Sequence, residues 1–290
     1  MGRFGLAGLL LLASFSGHAL VVQDDAGGRI SLPAPAVRMV ALSPHITDLL
    51  LALGARAQIV GVVDDHEHSG KNALSLTGLP VVADANSVNE ERLLALKPDL
   101  LLVWQSGMSA QRVQRLRELG FTVVLIEPKT LTGIADDISL LGQLSGHAQA
   151  GRQQAEALRQ ELDGLRQRYG PGKRLRAFYE VWLQPLYTVQ GGHLVSQALS
   201  LCGADSIMPV SKVAAPLVNV EFVLQANPDV IVFGRGGEAD SRRYWQGFPA
   251  LRAVGQGHLL AVDSHRLDRP GADMVHAVGE LCAQLEPWRH

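Results

Sequence analysis

At 290 residues the chain can bury a sizeable core, and 47% hydrophobic with 19% charged residues is a globular composition of one large or two modest domains. The net charge is −2, and no run of Lys or Arg is long enough to form the basic stripe that a phosphate backbone requires, so nucleic acid is excluded as a partner.

In chain order, the first segment is an export signal. Arg3 supplies a positive charge, residues 6–15 are apolar, and Gly17-His-Ala19 fits a small-x-small cleavage site. A membrane span would need roughly 20 apolar residues, and Ser16 to His18 stop the run short. Cleavage after residue 19 leaves Leu20 first, with no cysteine to lipidate, which places the mature protein free in a bacterial periplasm. Residues 37–42 read as a buried strand, followed by Ser43 as helix cap, Pro44 at the first helical position, and a helix ending at Gly54. A strand over 59–63, a helix over 89–96, a strand over 100–104, a helix over 109–119 and a strand over 121–126 follow. Strict alternation with uninterrupted apolar strands implies a parallel sheet covered on both faces. Residues 134–169 form one extended helical region, softly broken near Gly146 and closed by Gly170-Pro-Gly172. Beyond it the alternation resumes, with strands at 175–182, 230–233 and 259–262. Helices are expected at 193–201, 220–225, near Tyr244, and from 273 to 285.

The second half repeats the first. Glu91, Leu94, Pro98 and Asp99 recur as Glu221, Leu224, Pro228 and Asp229, each 130 residues on and each followed by an apolar strand. A fainter echo links residues 49–55 to 198–204. A solenoid would iterate at roughly 20–50 residues. The expected organisation is therefore two α/β lobes, 37–133 and 173–290, joined by a stiff helical spine over 134–169, with a cleft lined by strand ends.

The chemistry of that cleft is left open by the residues themselves. No nucleophile elbow, phosphate loop or dinucleotide fingerprint is present, so the chain carries no signature of an enzyme. His66 and His68, with Asp64, Asp65 and Glu67, make either a solvated acidic loop or a metal cluster completed by His45 and His265. Trp104, Trp182 and Tyr187 stand at strand ends, where large aromatics either plug the core or wall a pocket. His265, Arg266 and Arg269 follow the last strand and suit an acidic or amide-bearing ligand, or solvent. Glu91 and Glu221 start equivalent helices, one on each lobe, and would present paired charges to a partner of matching two-fold symmetry. Cys202 and Cys282 are either buried thiols or, in an oxidising compartment, a disulfide.

Val40-Ala-Leu-Ser-Pro-His-Ile-Thr-Asp48, Ala95-Leu-Lys-Pro-Asp-Leu-Leu-Leu-Val-Trp104, the spine, and Pro185-Leu-Tyr-Thr-Val189 ahead of Leu201-Cys-Gly203 resemble the periplasmic cobalamin-binding proteins. These belong to the helical-backbone class of substrate-binding proteins, with two Rossmann-like lobes on a long rigid helix. The resemblance implies a monomer without cofactor that captures cobalamin or a related corrinoid and delivers it to the transmembrane subunits of an ABC importer. It implies docking by Glu91 and Glu221 on arginines of those subunits and a Cys202–Cys282 disulfide. It also implies a ligand wall that includes Trp104 and a basic pocket residue at Arg269, with His265 where the family has an acid. The ligand loops depart from the family: Asp64-Asp-His-Glu-His68, Ala83-Asp-Ala85 and Val213-Ala-Ala215 lack its Tyr, Trp and Phe. His66 or His265 could ligate a bound cobalt or iron. The alternatives are a haem or iron-siderophore receptor of the same fold and a histidine-based zinc or manganese receptor.

Overall fold

The apolar runs that carry no alternation become strands buried on both faces, because helices cover each side of the sheet they form. A computed structural model describes residues 19–64, 76–84 and 87–290. The expected export signal, apart from Ala19, and the candidate ligands His66 and His68 lie outside the described residues. In chain order the first lobe contains β1 (Leu20–Gln23), β2 (Arg29–Leu32), β3 (Met39–Ala41), α1 (Pro44–Ala52), β4 (Ile59–Val63) and β5 (Val81–Ala83). It continues with α2 (Glu90–Leu96), β6 (Leu100–Trp104), α3 (Ala110–Glu118), β7 (Val123–Ile126) and α4 (Gly133–Leu144). After α5 (Ala148–Tyr169) the second lobe holds β8 (Leu175–Glu180), α6 (Leu194–Leu201), β9 (Ala204–Ser206), α7 (Val220–Ala226), β10 (Val230–Gly234) and α8 (Glu238–Gln246). The chain ends with α9 (Arg252–Gly255), β11 (Leu259–Val262), α10 (Ser264–Leu267) and α11 (Ala272–Leu285).

Two separate parallel sheets result, ordered β5-β4-β3-β6-β7 and β11-β10-β8-β9. Aligned on the repeat, β4-β3-β6-β7 corresponds to β9-β8-β10-β11, and only β5 lacks a counterpart. The duplication extends to individual hydrogen bonds. Asn89 Oδ1 accepts from Arg92 N at 2.9 Å, and Asn219 Oδ1 accepts from Phe222 N at 3.0 Å, each capping its helix. Lys97 and Asn227 end those helices in the left-handed region, at φ 48° and 47°. The Asp99 carboxylate accepts from Arg38 N at 3.1 Å, and the Asp229 carboxylate accepts from Arg176 N at 2.8 Å, so each repeat is stapled to the start of its central strand. The fainter echo is structural as well: α1 and α6 both run into a left-handed glycine, Gly54 at φ 82° and Gly203 at φ 78°. At Gly203 the requirement is double, since a Cβ would lie 2.2 Å from Arg289 Cζ. That guanidinium donates to the carbonyls of Tyr169, Pro171 and Lys173 at the end of α5.

The spine differs from the expected single region. Gly146, at φ 76°, reverses the chain, and α4 packs back along α5. Gly142 and Gly151 make the approach possible, because a Cβ on Gly142 would stand 2.9 Å from Gly151 Cα. The spine is thus α5 alone, and α4 belongs to the first lobe, where Ile134, Ile138 and Leu141 are buried. Ala155, Leu158, Leu162 and Tyr169 form a buried stripe at helical spacing along α5. One continuous apolar core runs from the inner face of the first sheet through this stripe to the second. Separate clusters cover the two outer faces. A shared core of this kind resists hinge opening, since parting the lobes would expose it. Cys202 at the end of α6 is disulfide-bonded to Cys282 in α11, as expected. The β1–β2 hairpin was not anticipated; it packs Val22 and Leu32 into the first lobe.

Candidate ligand-binding site

The loops at the carboxyl ends of the strands carry the candidate residues, which is where open parallel sheets present ligands. After β3, Ser43 occupies the cap position of α1 but caps nothing with its side chain. Its hydroxyl is instead 2.7 Å from His45 Nδ1. The imidazole is buried, and its Nε2 has no hydrogen-bond partner among the described residues. A buried polar atom in that condition costs about 1–3 kcal/mol. Burial, with the nearby positive charge of Arg269, holds the His45 pKa down to about 4, so the ring is neutral at physiological pH.

Trp104, at the end of β6, meets this ring edge to face at a centroid distance of 5.6 Å and leaves 36% of its surface exposed. The indole lies against the following turn, where only glycine fits: a Cβ on Gly107 would be 2.5 Å from Trp104 Cε3. Glu127, at the end of β7, fixes the turn by accepting from Ser106 N at 2.8 Å and Ser106 Oγ at 2.9 Å. The first lobe therefore offers an immobilised, half-open aromatic face with a neutral imidazole behind it.

The second lobe reaches the same place through the loop after β11. Arg269 belongs to this lobe, yet its charge acts on His45 of the first, and Gly271 packs against α1, a Cβ there lying 3.7 Å from Leu49 Cδ2. His265, on α10, is exposed and close enough to Asp268 for its charge to act on that carboxyl. Asp268 Oδ1 accepts from Tyr179 Oη at 3.2 Å, which ties the loop to β8. Arg266 does not join this group; both Glu280 oxygens accept from it, at 2.8 and 2.9 Å, binding α10 to α11.

Trp182 and Tyr187 lie together on a hairpin that continues β8, bridged to each other and, through Tyr187, to Leu217. Trp182 is 63% exposed, and its Nε1 donates to Gln184 O at 2.9 Å. At the end of β8 Glu180 is buried, and its carboxylate accepts from Ser241 Oγ and from Trp245 Nε1, both at 2.5 Å. Burial pushes the Glu180 pKa up while those two donors oppose the shift. The structure thus groups His45, Trp104 and Arg269 across the lobes, and sets Trp182 with Tyr187 on the hairpin after β8. Sequence reasoning missed Glu127, Tyr179, Glu180 and Asp268, whose roles come from partners tens of residues away. Among the described residues no group of three or more His, Cys, Asp or Glu side chains could hold a metal ion.

Glu91 and Glu221 lie in the first turns of α2 and α7, both exposed and without an ion pair among the described residues. A helix between two parallel strands begins at the carboxyl end of the sheet, so both carboxylates stand at the same end of their lobes as the ligand loops.

The periplasmic binding protein family model matches residues 39–253. The vitamin B12-binding protein of Vibrio cholerae is 34% identical over 259 residues, 89% of this chain and 92% of that one. Its counterpart from Yersinia pestis is 34% identical over 261 residues, 88% of this chain and 89% of the other. The crystal structure of the periplasmic vitamin B12-binding protein BtuF of Vibrio cholerae superimposes with a TM-score of 0.79, covering 88% of this chain and 99% of that one. The periplasmic heme-binding protein HutB of the same organism, 23% identical with a TM-score of 0.72 over 87% of this chain and 99% of that one, shares the fold. A two-sheet duplicated architecture, a spine through a common core and these likenesses lead to one conclusion: the chain belongs to the periplasmic binding protein family.

Proposed function

We propose that this protein is a periplasmic receptor that captures cobalamin or a related corrinoid between its lobes and delivers it to an inner-membrane ABC importer, making and breaking no covalent bond. The observation that carries the reading is the convergence of Trp104 and His45 from one lobe with Arg269 from the other. A flat, bulky ligand with amide side arms suits an exposed indole face for stacking, backed by the neutral His45 ring, and a guanidinium for amide carbonyls. The relatives named as vitamin B12-binding proteins, matched over nearly their whole length, support the same ligand. Trp182 and Tyr187 would wall the second side, with His265 at the mouth. Glu91 and Glu221 would dock the loaded receptor on the two transmembrane subunits.

Calorimetric and absorbance titrations of residues 20–290 with cyanocobalamin, haemin and zinc test the reading. One cobalamin should bind per chain, with little heat from the other two. Trp104→Ala should weaken cobalamin at least about tenfold, as removal of a central aromatic anchor does. Uptake of haemin or zinc in place of cobalamin would overturn it.

A further inference from the structure

The two copies of the repeat, 88–99 and 218–229, are identical at six positions: Val88/Val218, Asn89/Asn219, Glu91/Glu221, Leu94/Leu224, Pro98/Pro228 and Asp99/Asp229. Four of the six have work within the fold. The valines pack against the outer core of their lobes. The asparagines cap α2 and α7, and the aspartates staple the repeat to β3 and β8. The prolines follow left-handed helix ends, where a helix cannot continue. Among the described residues neither Glu91/Glu221 nor Leu94/Leu224 has such a role. The buried contact of each helix is made by the adjacent residue, Leu93 in one and Val223 in the other. Leu94 is 47% exposed and Leu224 36% exposed. Meanwhile the neighbouring positions have diverged, Arg92 against Phe222 and Ala95 against Gln225.

We infer that Leu94 and Leu224 are apolar anchors of the docking surface, each forming with Glu91 or Glu221 one half of a two-fold contact on the importer's paired transmembrane subunits. The inference rests on the delivery reading above. Glutamate and leucine three residues apart share one helix face, so each lobe presents a carboxylate beside an apolar knob. A partner with matching symmetry would offer, twice over, a cationic side chain next to an apolar cup. The carboxylate sets register and approach while the buried leucine supplies dehydrated contact, since an exposed ion pair alone adds little affinity. The diverged ligand loops have no such matched pair, as expected of a cargo without two-fold symmetry.

The test uses the inner-membrane vitamin B12 importer of the same bacterium, purified into nanodiscs, with docking of the cobalamin-loaded receptor read by biolayer interferometry. Alanine retains helix propensity, so Leu94→Ala/Leu224→Ala isolates the contact. The double variant should dock about tenfold or more weakly, and each single variant by a smaller factor. Cobalamin affinity and melting temperature should stay at wild-type values. Val21→Ala, at a 44% exposed apolar position on β1, should dock normally. Wild-type docking by the double leucine variant, alongside loss in Glu91→Ala/Glu221→Ala, overturns the leucine anchors and leaves the delivery reading standing. Failure of the wild-type receptor itself to dock overturns both.

Discussion

The helix-and-strand unit α2–β6 and its copy α7–β10 agree down to caps, left-handed ends and stapling carboxylates, whereas the ligand loops of the two lobes offer different side chains. The first lobe offers Trp104 on a glycine-supported turn after β6, and the second offers His265 on the short helix after β11 with Arg269 just beyond its end. The contrast separates two demands on one duplicated scaffold. Where the backbone must be held identically, or where a two-fold partner must be met, the copies keep their residues. Where an asymmetric ligand is gripped, they have parted.

Removing the feature that only one lobe has should have the largest effect. Cys202→Ala/Cys282→Ala should cost about 2–5 kcal/mol by urea denaturation, with the loss concentrated in protection of α6 and α11. Next come the staples. Asp99→Ala and Asp229→Ala should each cost roughly 1–3 kcal/mol by stranding backbone donors. Each carboxylate has one further partner, Val37 N donating to Asp99 at 2.8 Å and Arg252 donating to Asp229 at 2.5 Å, so the two losses should be similar. Asn89→Ala and Asn219→Ala should then cost about 1 kcal/mol each, the usual worth of a helix cap, and the two values should match.

The smallest effect is on pH dependence. Asp137, buried in α4, has its pKa raised to about 9 by burial and by the charge and hydrogen bond of Asp25. The native state therefore keeps a proton that the unfolded chain releases, and stability falls as pH rises from about 4 towards 9. Asp137→Asn retains a donor for Asp25 and removes the ionisation. Its melting temperature should exceed that of the wild type at pH 8, by at least about 1 kcal/mol in stability, and the two should converge near pH 4. His45, with its pKa lowered to about 4, acts with the opposite sign: its contribution is complete above about 6.5 and is lost as pH falls to 4.

The duplication was legible because Glu-x-x-Leu-x-x-x-Pro-Asp is a rare string, and its proline and aspartate act on neighbouring backbone. Parallel strands were legible because both faces are buried and the apolar runs are unbroken. The hairpin of β1 and β2 is hard to see in the sequence, although Leu20-Val-Val-Gln and Arg29-Ile-Ser-Leu flank Gly27-Gly28, because each strand is only four residues long. β5 and β9, three residues each, are too short for any period to show. The break in the spine had a signal in Gly142, Gly146 and Gly151, but which glycine reverses a chain depends on what the helices pack against. Trp104 and Arg269 could be named from their positions after strands. Their convergence on His45 could not, because it depends on how the lobes close on a shared core. Ser43 before Pro44 has the sequence signature of a helix cap, and only the folded loop shows its hydroxyl turned to the imidazole.

Hydrogen exchange of residues 20–290 with and without cyanocobalamin tests the two-lobed grip most directly. Protection should rise together in 43–45 and 104–107 of one lobe and 263–271 of the other, with α2 and α7 unchanged. Protection confined to one lobe, or falling on α2 and α7, would contradict the account.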